Sequence, residues 1–301
     1  MSDTAKKIGF IGIGLMGHGM AKNILQGGYP LTVMGHRNRA PVDDLVGRGA
    51  SEAATPADVA RASDIVFLCV TGSVQVEAIV RGADGLKAGA HEGLIIVDCS
   101  TSQPTSTQAL AAELGELGVR FVDAPLSRTP KEAEAGTLDT MIGADKATLA
   151  EILPVVGCWA GNIIHVGDVG AGHTMKLINN FVALGYGALY SEALALGQKA
   201  GIAPEKFHEV IGAGRLTNGF YETFMKYVVG GDRDAHKFSI ANAHKDMRYL
   251  ADLASATGGI NLISSMVRNY YAGAEAAGRG GDYVPMLSDY VRELNGIGRD
   301  D

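Results

Sequence analysis

Between His173 and Ser191 the sequence carries a single full charge, Lys176. The residues around it are apolar or uncharged, and lysine is rarely buried without a partner. Asn179 and Asn180 follow three and four positions later, so a helix would stack them on the same face as Lys176. A partly desolvated lysine has a lowered pKa and can give or take a proton near neutrality. Its charge also stabilises an oxyanion forming beside it, and an asparagine can hold either the lysine or the substrate. The plain alternative is a lysine that snorkels at a helix edge, with the asparagines capping nearby loops. The choice between them rests on what stands upstream.

Upstream stands Gly12-Ile13-Gly14-Leu15-Met16-Gly17, a G-x-G-x-x-G between the apolar run 8–11 and a helical stretch at 15–27. Strand before and helix after is the context in which this pattern binds a dinucleotide. Gly12 would allow the tight turn, Gly14 the approach of a pyrophosphate, and Gly17 close packing of helix on strand. The helix N-terminus would offer free N–H groups to the phosphates. The second strand, 30–34, ends in Gly35-His36-Arg37-Asn38-Arg39, and there is no Asp or Glu between His18 and Val42. An NAD site usually places a carboxylate there for the ribose hydroxyls. Arginine instead pairs with the 2′-phosphate of NADP. The expected cofactor is therefore NADP(H), with NAD(H) possible. Arg37 is the first choice for the phosphate, Asn38 and Arg39 support it, and His36 fills the slot of the usual Asp.

These residues need elements to position them. Apolar runs at 64–70 and 94–100 and strands at 120–125 and 137–144 alternate with helical stretches at 42–48, 74–80 and 105–118. That alternation predicts an α/β Rossmann half with a doubly wound parallel sheet. After 163–172 it stops. One helical pattern runs over 171–199, followed by others at 203–213, 219–229, 241–256, 260–277 and 286–294. The reading is a dinucleotide-binding domain at 1–166 and an all-helical substrate and oligomerisation domain at 167–301, hinged at Gly167–Gly172 and joined by the long helix. With 47% apolar and 20% charged residues, the chain has the composition of a globular protein with a sizeable core. A net charge of −7 argues against nonspecific binding to nucleic acid or anionic membrane. Cys69, Cys99 and Cys158 are odd in number, widely spaced and in apolar surroundings, which points to reduced thiols and a cytoplasmic setting. No Cys/His cluster suggests a metal, and His165, His208, His236 and His244 show no ligand spacing. The apolar stretches of the helical half exceed what one small domain easily buries, so a homodimer or homotetramer is expected.

The segments GFIGIGLMGHGMAKNIL, DCSTSQP, FVDAPLS followed by AGTL, GAGHTMKLINN and AHKDM, in this order over about residues 8–250, resemble the β-hydroxyacid dehydrogenase family. That family includes 3-hydroxyisobutyrate dehydrogenases, tartronate semialdehyde reductases, and the glyoxylate and succinic semialdehyde reductases. The resemblance implies that Lys176 is the acid/base and Asn180 its substrate-orienting partner. It places Leu15 and Met16 on the dinucleotide turn, and Val70, Thr71 and Thr101 on loops flanking the nicotinamide and its ribose. Phe238 and Lys245 would close over the cofactor, and Ser127 would open the substrate loop. The chain departs from the family there. Ser127-Arg128-Thr129-Pro130 stands where Ser-Gly-Gly usually presents backbone N–H groups to a carboxylate. Either the loop is displaced, or Arg128 and Thr129 contact the substrate, or Arg128 balances Glu132 and Glu134 at the surface. The expected reaction is NADP(H)-dependent interconversion of a short β-hydroxyacid and its semialdehyde, the substrate being a small anion. Reduction of a sulfonated or non-carboxylate aldehyde or of an imine is the alternative, and a non-catalytic NADP-binding protein a third.

Overall fold

The computed structural model describes residues 5–298. Among the described residues, nine strands form one sheet in the order β3-β2-β1-β4-β5-β6-β8-β7, with β9 added beside β8. They are β1 (Ile8–Ile11), β2 (Leu31–Met34), β3 (Ser51–Ala53), β4 (Ile65–Leu68), β5 (Ile95–Asp98), β6 (Arg120–Asp123), β7 (Leu126–Ser127), β8 (Leu138–Gly143) and β9 (Ala160–Gly167). The first six run parallel in the order 3-2-1-4-5-6, the doubly wound dinucleotide-binding order. β1, β4 and β5 are buried along their whole length, which is why each reads as an unbroken apolar run. Alternate residues serve opposite layers. Ile8, Phe10, Ile65, Phe67, Ile95 and Val97 enter one core with Met20, Ile24 and Trp159. Ile11, Val66, Leu68 and Ile96 enter the other with Val59, Val76 and Leu110.

The sheet is not parallel throughout. β8 runs antiparallel to both β6 and β7, and β9 runs parallel to β8. β6 and β7 flank β8 and run the same way, so β8 is the strand that reverses, after the short helix Pro130–Ala135.

Registry sets up the site. Ile11 pairs with Met34 and Leu68, Leu68 with Asp98, and Asp98 with Asp123. The C-terminal ends of five strands therefore stand in one rank, and the loops leaving them emerge side by side. In open α/β sheets this edge is the ligand-binding edge, at the point where strand order reverses, here between β1 and β4.

The chain separates into two compact units, one ending at Lys176 and the other beginning at Leu177. This is later than the 166/167 division the sequence suggests. The first turn of the helix Ala171–Lys199 belongs to the sheet unit because the Asp123 carboxylate accepts hydrogen bonds from the backbone N–H groups of Gly170 and His173, both at 2.7 Å.

The second unit is helical: the rest of that helix, then Pro204–Gly212, Gly219–Val228, Ile240–Thr257, Leu262–Ala274 and Leu287–Leu294. Leu177, Leu184, Ala188 and Ala195 recur at helical spacing into a core with Ile240, Met247, Leu250, Tyr271 and Leu287. Asn218 and Ser239 cap their helices by accepting from backbone N–H groups. The helical stretch expected at 260–277 is interrupted. After Ala274 the chain enters a π-helical turn, Glu275–Arg279, in which Gly278 takes φ 83°.

The helix Gly17–Gln26 lies directly on the helix Pro130–Ala135: a Cβ on Gly19 would stand 2.5 Å from the backbone carbonyl carbon of Ala133. Gly19→Ala must push these helices apart, and overpacking of this kind costs about 1–3 kcal/mol. A denaturant midpoint lowered at unchanged slope is the expected reading.

Candidate active site

The glycine turn leaves β1 with little freedom. Gly12 takes φ 100°, and a Cβ there would strike the carbonyl oxygen of Cys69 at the end of β4. A Cβ on Gly17 would strike the carbonyl oxygen of Gly12. Around Gly14 there is open space within 4 Å. Two glycines are thus required by packing, while the middle one faces open space before the helix Gly17–Gln26, as the close approach of a pyrophosphate would require. Leu15 is 71% exposed on this turn, and Met16 packs partly against the core beneath it.

The loop after β2 exposes His36, Arg37, Asn38 and Arg39, but their circumstances differ. Arg39 forms a fork with Glu52 of β3 (Nη2–Oε2 2.9 Å) and also bonds Asp43 at 3.0 Å. Glu52, and then Asp43, hold the Arg39 guanidinium firmly charged, and Arg39 holds the Glu52 carboxyl below its usual range. The loop therefore is not free of carboxylates; they arrive from beyond the stretch that reads as carboxylate-free. Asn38 Oδ1 accepts from the N–H of Ala40, helping to start the helix Ala40–Gly47. Arg37 makes no hydrogen bond or ion pair among the described residues.

The loops after β4 and β5 are laced together. The N–H of Val70 donates to Ser100 Oγ at 3.0 Å. Asp98 accepts from the N–H of Ser100 at 2.9 Å and from Ser102 Oγ at 2.8 Å, and the N–H of Gln103 donates to Ser73 Oγ at 2.7 Å. Thr71 is exposed, and Val70 and Thr101 are half-buried along this rim.

Three residues that sequence reasoning did not assign hold the rank together. His173 is fully buried, with Nε2 3.1 Å from the Ser100 carbonyl oxygen and Nδ1 2.7 Å from Thr107 Oγ1. The carbonyl can only accept, so Nε2 carries a proton. Asp98 and Asp123 lie 3.7 and 3.9 Å from the ring nitrogens. Burial pushes the Asp123 carboxyl above its ordinary range, against the pull of His173 and the two backbone donors. A signal for the carboxylates was present: Val-Asp closes both apolar runs, at 97–98 and 122–123.

In the loop expected to bind the substrate, Ser127 faces Asp139 across the β7–β8 pair. Ser127 Oγ and Asp139 Oδ1 are both buried and without a hydrogen bond among the described residues. Asp139 Oδ2 accepts from Arg128 Nε at 2.8 Å. Arg128 has φ 85°, the one non-glycine with a positive φ among the described residues. It therefore keeps the backbone conformation that a glycine would take at this position, and it pairs with Asp139 rather than with Glu132 or Glu134. Thr129 is an N-cap. Its N–H donates to Glu132 Oε2 at 3.1 Å and its Oγ1 accepts from the N–H of Lys131 at 3.3 Å, a capping box for Pro130–Ala135.

Lys176 and Asn180 lie one turn apart on the uninterrupted helix Ala171–Lys199. Lys176 is half-buried. Asn180 is buried, and its Nδ2 donates to Asp246 Oδ2 at 2.7 Å. A carboxylate cannot donate, so the amide is fixed with Oδ1 left as an acceptor. Lys245 pairs with Asp246 Oδ1 at 2.7 Å and sits 4.8 Å from the Tyr249 ring centre. Phe238 packs against the helical core. No group of His, Cys, Asp and Glu among the described residues could hold a metal, and no helix among them is long and apolar enough to cross a membrane.

Residues 7–167 match the family described as the NAD binding domain of 6-phosphogluconate dehydrogenase. Residues 170–288 match that described as NAD-binding of NADP-dependent 3-hydroxyisobutyrate dehydrogenase. The chain is 36% identical over 296 residues to 2-(hydroxymethyl)glutarate dehydrogenase of Eubacterium barkeri, covering 97% of this chain and 96% of that one. It is 30% identical over 291 residues to 3-sulfolactaldehyde reductase of Escherichia coli, covering 96% and 97%. The structure of Mycobacterium tuberculosis 3-hydroxyisobutyrate dehydrogenase superposes with a TM-score of 0.85 at 26% identity, over 96% of this chain and all of that one. A doubly wound sheet with a glycine turn under its ligand-binding edge, and these matches, define an oxidoreductase that binds a nicotinamide dinucleotide. Within that class, the chain belongs to the β-hydroxyacid dehydrogenase family.

The loop geometry separates two kinds of substitution. Thr129→Ala removes a cap and should lower stability by about 1 kcal/mol. Arg128→Gly relieves a left-handed backbone that costs a side-chain-bearing residue about 1–2 kcal/mol, which offsets the exposed ion pair it removes. Thermal melts should place Arg128→Gly at or above the parent and Thr129→Ala below it; the opposite order would contradict the assigned conformations.

Proposed function

We propose that the chain interconverts a short β-hydroxyacid and its semialdehyde with NADP(H), Lys176 serving as the acid/base. The observation that carries this reading is the Lys176–Asn180 pair, stacked on one helix face with the Asn180 amide locked by Asp246. When bound, the nicotinamide cofactor supplies or accepts the hydride. In the reducing direction, the Lys176 ammonium donates a proton to the substrate oxygen as negative charge grows there, and its charge stabilises that oxygen on the way. In the oxidising direction the neutral amine takes the hydroxyl proton. Asn180 Oδ1, the acceptor left open, orients the hydroxyl. Ser127, with its hydroxyl otherwise unpartnered, binds the substrate's anionic end.

NADP preference rests on Arg37, whose charge is uncompensated while that of Arg39 is held by Glu52 and Asp43. His36 and Asn38 flank the same phosphate position. Arg39 supports it by shaping the loop. Val70, Thr71 and Thr101 border the nicotinamide end; a cofactor role for Phe238 and Lys245 rests on the family resemblance alone.

A second reading is favoured by Arg128. With only Nε engaged by Asp139, the two Nη groups remain to grip a further anionic group. The relatives named for a glutarate and for sulfolactaldehyde fit a substrate with such a group. A non-catalytic NADP-binding role leaves the Lys176–Asn180 pair without a purpose. Assembly through the helical half belongs to the same proposal: Val182, Tyr186 and Leu189 are exposed at helical spacing on Ala171–Lys199. So does a reducing, cytoplasmic setting, in which the three cysteines stay free.

A panel of small aldehyde acids, with and without a second anionic group, assayed with NADPH and NADH, tests these readings. Lys176→Ala should lower kcat by about 10²–10⁴, and near-normal rates in this variant would sink the acid/base assignment. Arg37→Ala should weaken NADPH by about tenfold or more, the scale of a charged hydrogen bond, and leave NADH nearly unchanged. Equal losses for both cofactors would defeat the 2′-phosphate assignment.

A further inference from the structure

His18 is the second residue of the helix that starts under the dinucleotide turn, and the proposed reaction gives its side chain no part. Its imidazole nevertheless sits between two carboxylates from distant parts of the sequence. Nε2 lies 2.9 Å from Asp44 Oδ2, and Nδ1 lies 2.8 Å from Glu134 Oε1. Asp44 belongs to the helix Ala40–Gly47, which the loop 35–39 enters directly. Glu134 belongs to the helix Pro130–Ala135, which the loop 127–129 enters directly. One side chain thus bridges the helix behind the expected 2′-phosphate loop and the helix behind the expected substrate loop.

The surroundings make the bridge stiff. Lys22, one turn on from His18, pairs with the Glu134 carboxylate and donates to the Glu134 backbone oxygen at 3.1 Å. Asn23 Nδ2 donates to the Ala133 carbonyl at 2.9 Å. Arg48 Nε donates to Asp44 Oδ2 at 2.7 Å. Arg48 and then His18 hold the Asp44 carboxyl down to about 2, and Lys22 and then His18 hold Glu134 below its usual range. The charged groups facing the ring are therefore Asp44 and Arg48 on one side, and Glu134 and Lys22 on the other. The His18 side chain is only 23% exposed.

The proton inventory is decisive. A carboxylate only accepts, so both ring nitrogens must donate, and only the imidazolium has two N–H groups. A neutral ring can keep one of the two bonds, not both.

We propose that His18 is a positioning residue, a protonation-dependent clasp that holds the cofactor's 2′-phosphate loop and the substrate loop in register with each other. This rests on the reading of those two loops given above. When the imidazolium loses its proton, one helix is released from the helix Gly17–Gln26 and the loop ahead of it loses its position. A residue serving stability alone would affect neither ligand selectively.

The test uses the full chain and the His18→Gln variant, whose amide has a single donor group that cannot reach both carboxylates. NADPH and NADH affinities are read from cofactor fluorescence, and the aldehyde KM from turnover, across the pH range in which histidine titrates. The expected result has two parts. His18→Gln weakens NADPH by about tenfold, the scale of one charge-assisted hydrogen bond, with a much smaller change for NADH and a parallel rise in aldehyde KM. The wild-type NADPH affinity falls as pH rises through the titration, while the variant's profile lacks that component. The 2′-phosphate titrates nearby, and the variant, which binds the same phosphate, controls for it. Loss at one ligand only, or identical profiles, overturns the clasp. Imidazole ¹⁵N–¹H spectra of the wild type give a reading that does not depend on the variant folding. Both His18 nitrogens should carry protons under the conditions where NADPH binds most tightly, and a single neutral tautomer there overturns the proposal. Absence of turnover on every aldehyde would remove the proposed reaction while leaving the pH-dependent NADPH affinity to decide the clasp.

Discussion

The site depends first on one buried carboxylate. Asp123 ends β6, is fully buried, and gives both oxygens to backbone N–H groups at the turn that opens the long helix. Each such bond to a charged acceptor contributes about 1.5–3 kcal/mol, and together they offset part of the burial penalty that raises the Asp123 carboxyl. The geometric effect matters more than the energy. A Cβ on Gly172 would meet the carbonyl oxygens of Asp123 and Met141, so the helix starts as close to the sheet as a backbone can. His173, one residue on, fills the remaining gap and reaches across to the Ser100 carbonyl. Lys176 follows a turn later. Its position is thus inherited from the end of a strand through two hydrogen bonds, a glycine and a buried histidine, none of which reacts.

This explains which parts of the molecule were legible in the sequence. β1, β4 and β5 have both faces covered, so they appear as unbroken apolar runs, and the long helix shows an unbroken helical pattern over 171–199. β3 lies at the sheet edge with Ser51 and Glu52 exposed, and Ala53 is its one apolar residue, too little to read as a strand. The antiparallel direction of β8 was invisible because direction is set by the connection that precedes a strand, not by the strand's own residues. The capping box at Thr129 and Glu132 was readable as a helix start, beside the ligand role that the sequence suggests for Thr129. Asp123 was missed because a buried carboxylate has meaning only through the donors that meet it, and Gly170 and His173 come from far along the chain; Asp98 was missed although its donors, Ser100 and Ser102, stand within four residues of it.

The loop at 127–129 shows how a fold accepts a residue that its backbone disfavours. At Arg128 the left-handed conformation is unfavourable for any side chain, and the ion pair with Asp139 is half-exposed and weak on its own. What sustains the conformation is its setting. Ser127 is held in β7, Thr129 is fixed by a capping box, and the residue between them has no other path. Strain that is over-determined in this way concentrates at ligand sites. The neighbouring orphaned oxygens, Ser127 Oγ and Asp139 Oδ1, mark the same spot by a separate criterion, since native proteins leave few buried polar atoms unpaired.

The two arginines of the base loop divide the work by the same logic. Arg39 lies against Gly35, a Cβ at which would collide with its guanidinium, and it faces two carboxylates. That trio carries a net charge of −1, so it adds nothing attractive to a phosphate; its contribution is the shape of the loop. Arg37, two residues earlier, points its charge where no described residue compensates it. A surface arginine without a partner is unremarkable in isolation. Beside a loop whose other arginine is neutralised, and beneath which His18 ties the following helix to the dinucleotide turn, it is the arginine whose charge no described residue takes up. On the NADP(H) reading proposed above, selectivity between the two nicotinamide cofactors depends less on how many basic residues the loop contains than on which of them the fold has already used.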